Sequence, residues 1–140
     1  MARFPSQEWV DAFSKAINAS TVYRGAAETW EGAIAFQFEA EPDKGVPDDV
    51  WALLDLWHGE CRHAAIVAPQ VGAQAPYVIR APYSRWRSIL EGDLDPIKAM
   101  MQGKLKVRGN LAKIVKYVRA ANELVRLTGT VPTEFVGDTA

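Results

Sequence analysis

The sequence predicts an α+β domain, a five-stranded and mainly antiparallel sheet with helices packed on one face, and three observations carry that reading. Extended runs between Glu31 and Ala68 follow one another without an intervening helical pattern. Helical periodicity gathers toward the two ends of the chain, over Ser6–Asn18 and Asn110–Gly129. Between the halves, the block Leu90–Asn110, LEGDLDPIKAMMQGKLKVRGN, packs two helix stops, a capped short helix, a strand and a new helix start into about twenty residues.

The first element runs from Ser6 to about Asn18, where Val10, Phe13 and Ile17 recur at helical spacing behind a Ser6 N-cap. A looser stretch, TVYRGAAETW, follows. From Glu31 to Ala40 the chain alternates, with Ile34, Phe36 and Phe38 on one face and Ala35, Gln37 and Glu39 on the other, so this is a strand with one face in the core. PDKGVPDD is a loop on composition.

Val50–Trp57 and Glu60–Ala68 meet at His58-Gly59, which reads as a β-hairpin whose glycine supplies the positive φ of a two-residue turn. That turn sets Trp57 opposite Glu60, Leu56 opposite Cys61, Asp55 opposite Arg62 and Leu54 opposite His63. One face then holds Leu54, Leu56, Cys61, His63, Ala65 and Val67. The other holds Trp51, Leu53, Asp55, Trp57, Arg62 and Ile66.

The loop APQVGAQAP leads into a short strand at Tyr77–Arg80. Ser84 is placed to cap a helix over Arg85–Leu90 that Gly92 ends, and Asp95-Pro96 is an N-cap followed by proline at the first helical position of a second short helix ending at Gly103. Lys104–Arg108 alternates as a last strand with Leu105 and Val107 inward. From Asn110 one long helix is expected, with Leu111, Ile114, Val115, Val118, Ala121, Asn122 and Val125 on its apolar face and Gly129 closing it. The tail 129–140 has no period and is expected to wrap the surface or fray.

Composition sets the bounds on function. At 140 residues and 49% hydrophobic, the chain is expected to form a single domain over 1–140. A net charge of -1 gives no global attraction to nucleic acid or to anionic membrane. The N-terminus lacks the apolar core of a signal peptide, the C-terminus GDTA is no targeting or prenylation box, and no apolar run spans a bilayer, so the expected location is cytoplasmic. One cysteine, Cys61, permits no internal disulfide and no cysteine-rich metal cage, and no metal site or cofactor is expected.

The order of elements, the LDLWHGE hairpin, the aromatic helix SRWRSILEGDLDP and above all AMMQGKLKVRGNL before an amphipathic helix resemble the sterol carrier protein type-2 domain. The resemblance covers roughly Ser6 to Leu127. It is most specific in the final third, and it looks like a stand-alone prokaryotic member of the family. It implies a non-catalytic lipid-binding fold whose apolar tunnel, between sheet and helices, accepts fatty acids, acyl-CoAs, phospholipids or sterols.

The residues agree with that implication, because an acyl chain needs apolar walls that adapt in shape, and methionine adapts best. Each buried methylene contributes about 0.8 kcal/mol, so ten of them gain roughly 8 kcal/mol before ordering costs. The expected walls are Trp86, Ile89, Leu90, Ile97, Met100, Met101, Leu105, Ile114 and Val118, over a floor of Phe36, Phe38, Leu54 and Leu56. Basic side chains surround the mouth: Arg80, Arg85 and Arg87 on one side, Lys104, Lys106, Arg108 and Lys113 on the other. Most such clusters are solvated faces, but they can also hold a carboxylate, a phosphate or anionic headgroups, and transient membrane contact follows from the last.

Two other readings compete with a lipid carrier. In one the tunnel is filled and the domain docks on a lipid-metabolising enzyme or on a second copy through Trp51 and Trp57, which are otherwise covered by the first helix. In the other the chain is an enzyme acting through Cys61 and His63 or through Asp93 and Asp95. No catalytic residue is assigned, since the two carboxylates sit at turn and cap positions and nothing orients the histidine.

Overall fold

The computed structural model describes residues 1–138. Strand β1 (Ala2–Phe4) leads into helix α1 (Gln7–Ala19), whose first turn is capped by Ser6 accepting from the Trp9 amide at 3.1 Å. The apolar stripe Trp9, Val10, Phe13 and Ile17 is fully buried against the sheet. The stretch after it, expected to be loose, forms a short helix α2 (Thr21–Ala26), because Ser20 ends α1 and caps the next turn through Tyr23 N at 3.0 Å.

Five strands form the main sheet in the order β4-β3-β2-β5-β6: β2 (Ile34–Glu39), β3 (Val50–Trp57), β4 (Glu60–Val67), β5 (Tyr77–Pro82) and β6 (Lys106–Arg108). Three of its four pairings are antiparallel, and β2 with β5 is parallel. Along β2, Ile34, Phe36 and Phe38 enter the main core while Ala35 joins Trp51, Ala75 and Val78 on the opposite face.

The hairpin turns at His58-Gly59, both with positive φ (52° and 82°), and a Cβ on Gly59 would stand 2.7 Å from the Arg24 carbonyl oxygen. Its register is as expected only for two pairs, Trp57 with Glu60 and Leu56 with Cys61. A bulge then takes up Arg62, so Asp55 pairs with His63 and Leu54 with Ala64. An extra residue inverts the alternation. Ala64 and Ile66 therefore face the core, whereas His63 points to solvent and Val67 packs beside Trp51. At this edge strand, helix α1 supplies the missing partners: Asn18 accepts from Cys61 N at 2.8 Å and donates to its carbonyl at 3.0 Å, and Gln7 accepts from Ile66 N at 2.8 Å.

Trp51 is covered, though not by the first helix. A short helix α3 (Pro69–Gly72) within the expected loop lies directly on the indole, and a Cβ on Gly72 would meet it at 2.5 Å. Trp57 stays partly exposed with the Arg62 guanidinium 4.7 Å from its ring, and Arg62 still reaches Asp55 at 3.0 Å. The two tryptophans thus do not share one exposed patch.

Helix α4 (Tyr83–Leu90) starts at Pro82; the Ser84 amide donates to Glu41 Oε1 at 2.7 Å, so Ser84 lies inside the first turn and does not cap it. Helix α5 (Pro96–Met101) has the Asp95 cap, accepting from Lys98 N at 2.9 Å. The expected long helix is broken into α6 (Leu111–Lys116) and α7 (Val118–Thr128). At the break Tyr117 leaves helical geometry (φ -106°, ψ 30°) to set its ring edge-on to Trp30 and its hydroxyl 2.7 Å from that of Thr29. The tail is ordered where described: Val131 is buried and β7 (Thr133–Phe135) runs parallel to β1. Residues 139–140 of the expected tail lie outside the described residues.

Candidate functional site

The floor expected beneath a ligand is the packed centre of the protein. Phe36, Phe38, Leu54, Leu56 and Trp86 have no exposed surface. Trp86 stands 4.9 Å from the Phe36 ring and 5.1 Å from that of Phe38, and its indole N–H donates to the Gln37 carbonyl at 3.0 Å. Phe13 of α1 closes the stack 5.8 Å from Phe36. Aromatic side chains thus occupy this part of the layer between sheet and helices.

Open apolar space lies at the other end of the sheet, beyond edge strand β6. Pro96 and the Asp95 cap start α5 so that Ile97, Met100 and Met101 fall at i, i+3 and i+4 on one side, while Ala99 is buried on the other. Gly103, with φ 71°, turns the chain into Leu105 and Val107. Helix α6 faces them with Leu111, Ile114 and Val115, and Val118 opens α7. Together these side chains line a groove of about 520 Å³ whose surface is almost wholly apolar, with Lys106 on its rim. That volume falls within the range of about 300–1,000 Å³ usual for small-molecule sites.

The groove gathers six of the expected wall residues: Ile97, Met100, Met101, Leu105, Ile114 and Val118. Ile89 and Leu90 are not among them; they border a more polar opening shared with Glu91, Asp95, Arg126 and Thr130. Val107, expected inward with Leu105, and Leu111 and Val115, expected on the apolar face of one long helix, line the groove instead of a packed interior. The helix break explains the difference, because it rolls α6 so that Leu111 and Val115 turn outward while Leu124 and Val125 of α7 remain buried. Behind the groove is a small cavity of about 20 Å³ bounded by Tyr23, Trp30, Ile34, Ile79, Tyr117, Ala120, Ala121 and Leu124. Ile114 lines both spaces.

The basic side chains divide by what they touch. Arg87 makes a two-point contact with Asp138 at 2.6 and 2.8 Å, Arg80 reaches Glu39 at 3.3 Å, and Arg85 donates to the Lys104 carbonyl at 3.1 Å. Arg108 donates to the Ala73 carbonyl at 2.6 Å. Lys113 sits 4.7 Å over the Trp30 ring and donates to the Glu31 carbonyl at 2.9 Å. These groups stitch the fold together.

The chemistry of a nucleophile does not assemble. The Cys61 thiol faces the core beside Ser14 Oγ at 3.5 Å, and burial pushes its pKa up. The bulge sends the His63 side chain to the opposite face, away from the Cys61 sulfur. Asp95 is held as the α5 cap, and His58 pairs with Glu31 at 2.6 Å in the hairpin turn. Among the described residues no group of three or more His, Cys, Asp and Glu could hold a metal ion, and no helix is long and apolar enough to cross a membrane.

Comparison with known proteins decides the family. Residues 11–122 match the model of the SCP-2 sterol transfer family. A crystal structure of sterol carrier protein 2 is 40% identical, covers 90% of this chain and 97% of its own, and superposes with a TM-score of 0.83. The chain belongs to the SCP-2 sterol transfer family. Another SCP-2-like structure, that of a conserved hypothetical protein from Thermus thermophilus, is 39% identical over 92% of this chain and 90% of its own, with a TM-score of 0.80. The apo form of sterol carrier protein 2 from Yarrowia lipolytica shares the fold at 16% identity, covering 86% of this chain and 88% of its own with a TM-score of 0.56. No curated protein matches the chain. Membership in the SCP-2 family implies lipid binding or transfer as the general activity.

Proposed function

We propose that this protein is a non-catalytic carrier that binds a single-chain or acyl-bearing lipid in the groove between α5, β6 and α6. The observation that carries the reading is the groove itself: about 520 Å³, lined by two adjacent methionines and branched aliphatic residues, with a lysine on its rim. Affinity comes from burying methylenes against adaptable walls, about 0.8 kcal/mol for each, and the rim cation suits a carboxylate or phosphate end. Ile114 stands where a chain entering the groove would pass toward the inner cavity. The groove, and not a tunnel under Trp86, is the proposed seat of the ligand.

A test is native mass spectrometry and lipid extraction of purified protein, followed by titration with a fluorescent fatty acid. Copurified or bound lipid is the expected result, and Met100→Arg weakens binding while the circular dichroism spectrum is unchanged. Absence of copurified lipid together with no fatty-acid binding sinks the carrier reading.

The aromatic filling around Trp86 favours a second reading, a module that keeps the fold and docks on a lipid-metabolising enzyme or on a second copy. Trp57 is the available part of the surface expected for that contact, because Trp51 lies under α3. A stable complex with loss of association on Trp57→Ala, and no lipid in the groove, would favour it.

A further inference from the structure

We infer that the face formed by α5, β6 and α6 docks on an anionic lipid bilayer. Residues 96–122 contain seven of the chain's 16 Lys and Arg and none of its 17 Asp and Glu, leaving nine basic residues against 17 acidic ones elsewhere. A nearly neutral protein therefore carries one strongly cationic end. Apart from the N-terminal Met1, that end also holds the most exposed large apolar side chains: Met101 is 82% accessible, Val115 71% and Leu111 58%.

The cations interleave with the apolar groups along the chain, Lys98 beside Ile97, Lys104 and Lys106 around Leu105, Lys116 beside Val115 and Arg119 beside Val118. All five are exposed, and among the described residues none of them makes a salt bridge. Apolar tips with a surrounding set of long, unpaired lysines match the boundary between acyl chains and acidic headgroups, where each lysine adds about 1 kcal/mol.

Charge and composition choose this occupant over others. Two copies of the same cationic face repel each other. An acidic protein partner is a poorer fit, since five of the seven cations are lysine, which protein interfaces deplete, and neither tryptophan nor phenylalanine occurs between 96 and 122. Helix α1 does not compete for the role: Trp9, Val10, Phe13 and Ile17 are fully buried, and its exposed side includes Glu8 and Asp11 with Lys15.

Docking of this kind uses the surface alone and holds whether or not the groove carries a ligand. The test is flotation of the full chain with vesicles of phosphatidylcholine alone and of phosphatidylcholine mixed with phosphatidylglycerol, at low and high salt. The expected result is partition onto the anionic vesicles only, lost at high salt. Replacing Lys98, Lys104 or Lys116 by Gln lowers the partition coefficient about fivefold each and about a hundredfold together, whereas Lys15→Gln on α1 leaves it unchanged. All of these positions are exposed, so thermal melts that match wild type confirm intact folding. Equal partition of the triple variant and wild type overturns the proposal, as do binding to neutral vesicles at the same strength, a concentration-dependent dimer that excludes vesicles, and preference for soluble polyglutamate over the anionic bilayer. Fatty-acid titration without vesicles reads the groove separately, so failure of one claim is distinguishable from failure of the other.

Discussion

The Tyr117 hydroxyl lies 2.7 Å from the Thr29 hydroxyl, and this contact spans the break between α6 and α7. It ties the only non-helical residue of the C-terminal helical segment to the chain just ahead of β2, while the Tyr117 ring packs edge-on against Trp30 at 5.2 Å. Tyr117→Phe keeps the ring and removes the hydrogen bond. The expected outcome is a stability loss of about 1 kcal/mol in urea denaturation, with the slope of the transition unchanged. An unchanged midpoint would mean that ring packing alone holds the junction.

Ile114 lines both the outer groove and the small cavity, so its size is expected to set how deep an acyl chain reaches. Ile114→Ala joins the two spaces and costs about 2–5 kcal/mol, the usual penalty for a buried isoleucine cut to its Cβ. In competition between short and long fatty acids the variant shifts preference toward the longer chain, and Ile114→Phe shifts it toward the shorter. Identical chain-length profiles in all three proteins would place the acyl terminus away from Ile114.

How much of this was legible in the sequence depends on whether a local signal marked the event. His58-Gly59 and Asp95-Pro96 are such signals, and the hairpin and α5 stand where they place them. The bulge at Arg62 has none, because the residues around it, His63, Ala64 and Ala65, tolerate either face; only the core beneath, which takes Cys61 and Ala64 together, selects it. The break at Tyr117 is similar. No glycine or proline interrupts Leu111–Thr128, and what bends the helix is a contact with Thr29 and Trp30 far away in sequence. Periodicity therefore found the apolar face but not the rotation that turns Leu111 and Val115 from core into groove lining. Strand alternation likewise put Phe36 inward, and the resemblance made Trp86 a wall, without distinguishing a packed interior from a ligand site.

Trp86 and Met101 separate those two roles. Trp86 is fully buried between Phe36 and Phe38 and donates to Gln37, so Trp86→Ala is expected to cost about 3–5 kcal/mol. Met101 is exposed on α5, and Met101→Ala is expected to stay within about 0.5 kcal/mol of wild type while reducing fatty-acid affinity. Denaturation paired with ligand titration checks both. A mild Trp86→Ala phenotype accompanied by lost binding would move the ligand under the sheet.

Glu123 gives the fold a defined acid dependence. Its side chain is buried on α7, where Oε1 accepts from Arg126 Nε at 2.6 Å and Oε2 accepts from Arg126 Nη2 at 2.8 Å and from Ser20 Oγ at 3.0 Å. The Arg126 hydrogen bonds hold its carboxyl below the ordinary glutamate value. A folded-state pKa lower than the unfolded one means that the stabilisation is complete above the unfolded value and disappears as pH falls through the folded value. Because the Arg126 side is half exposed and screened, the contribution expected at neutral pH is about 1–2 kcal/mol. Glu123→Gln removes it. Thermal melts of the two proteins should therefore differ at neutral pH and converge under acid, where the wild-type carboxyl is protonated. A gap that persists in strong acid would assign the loss to packing of the amide and not to the charge.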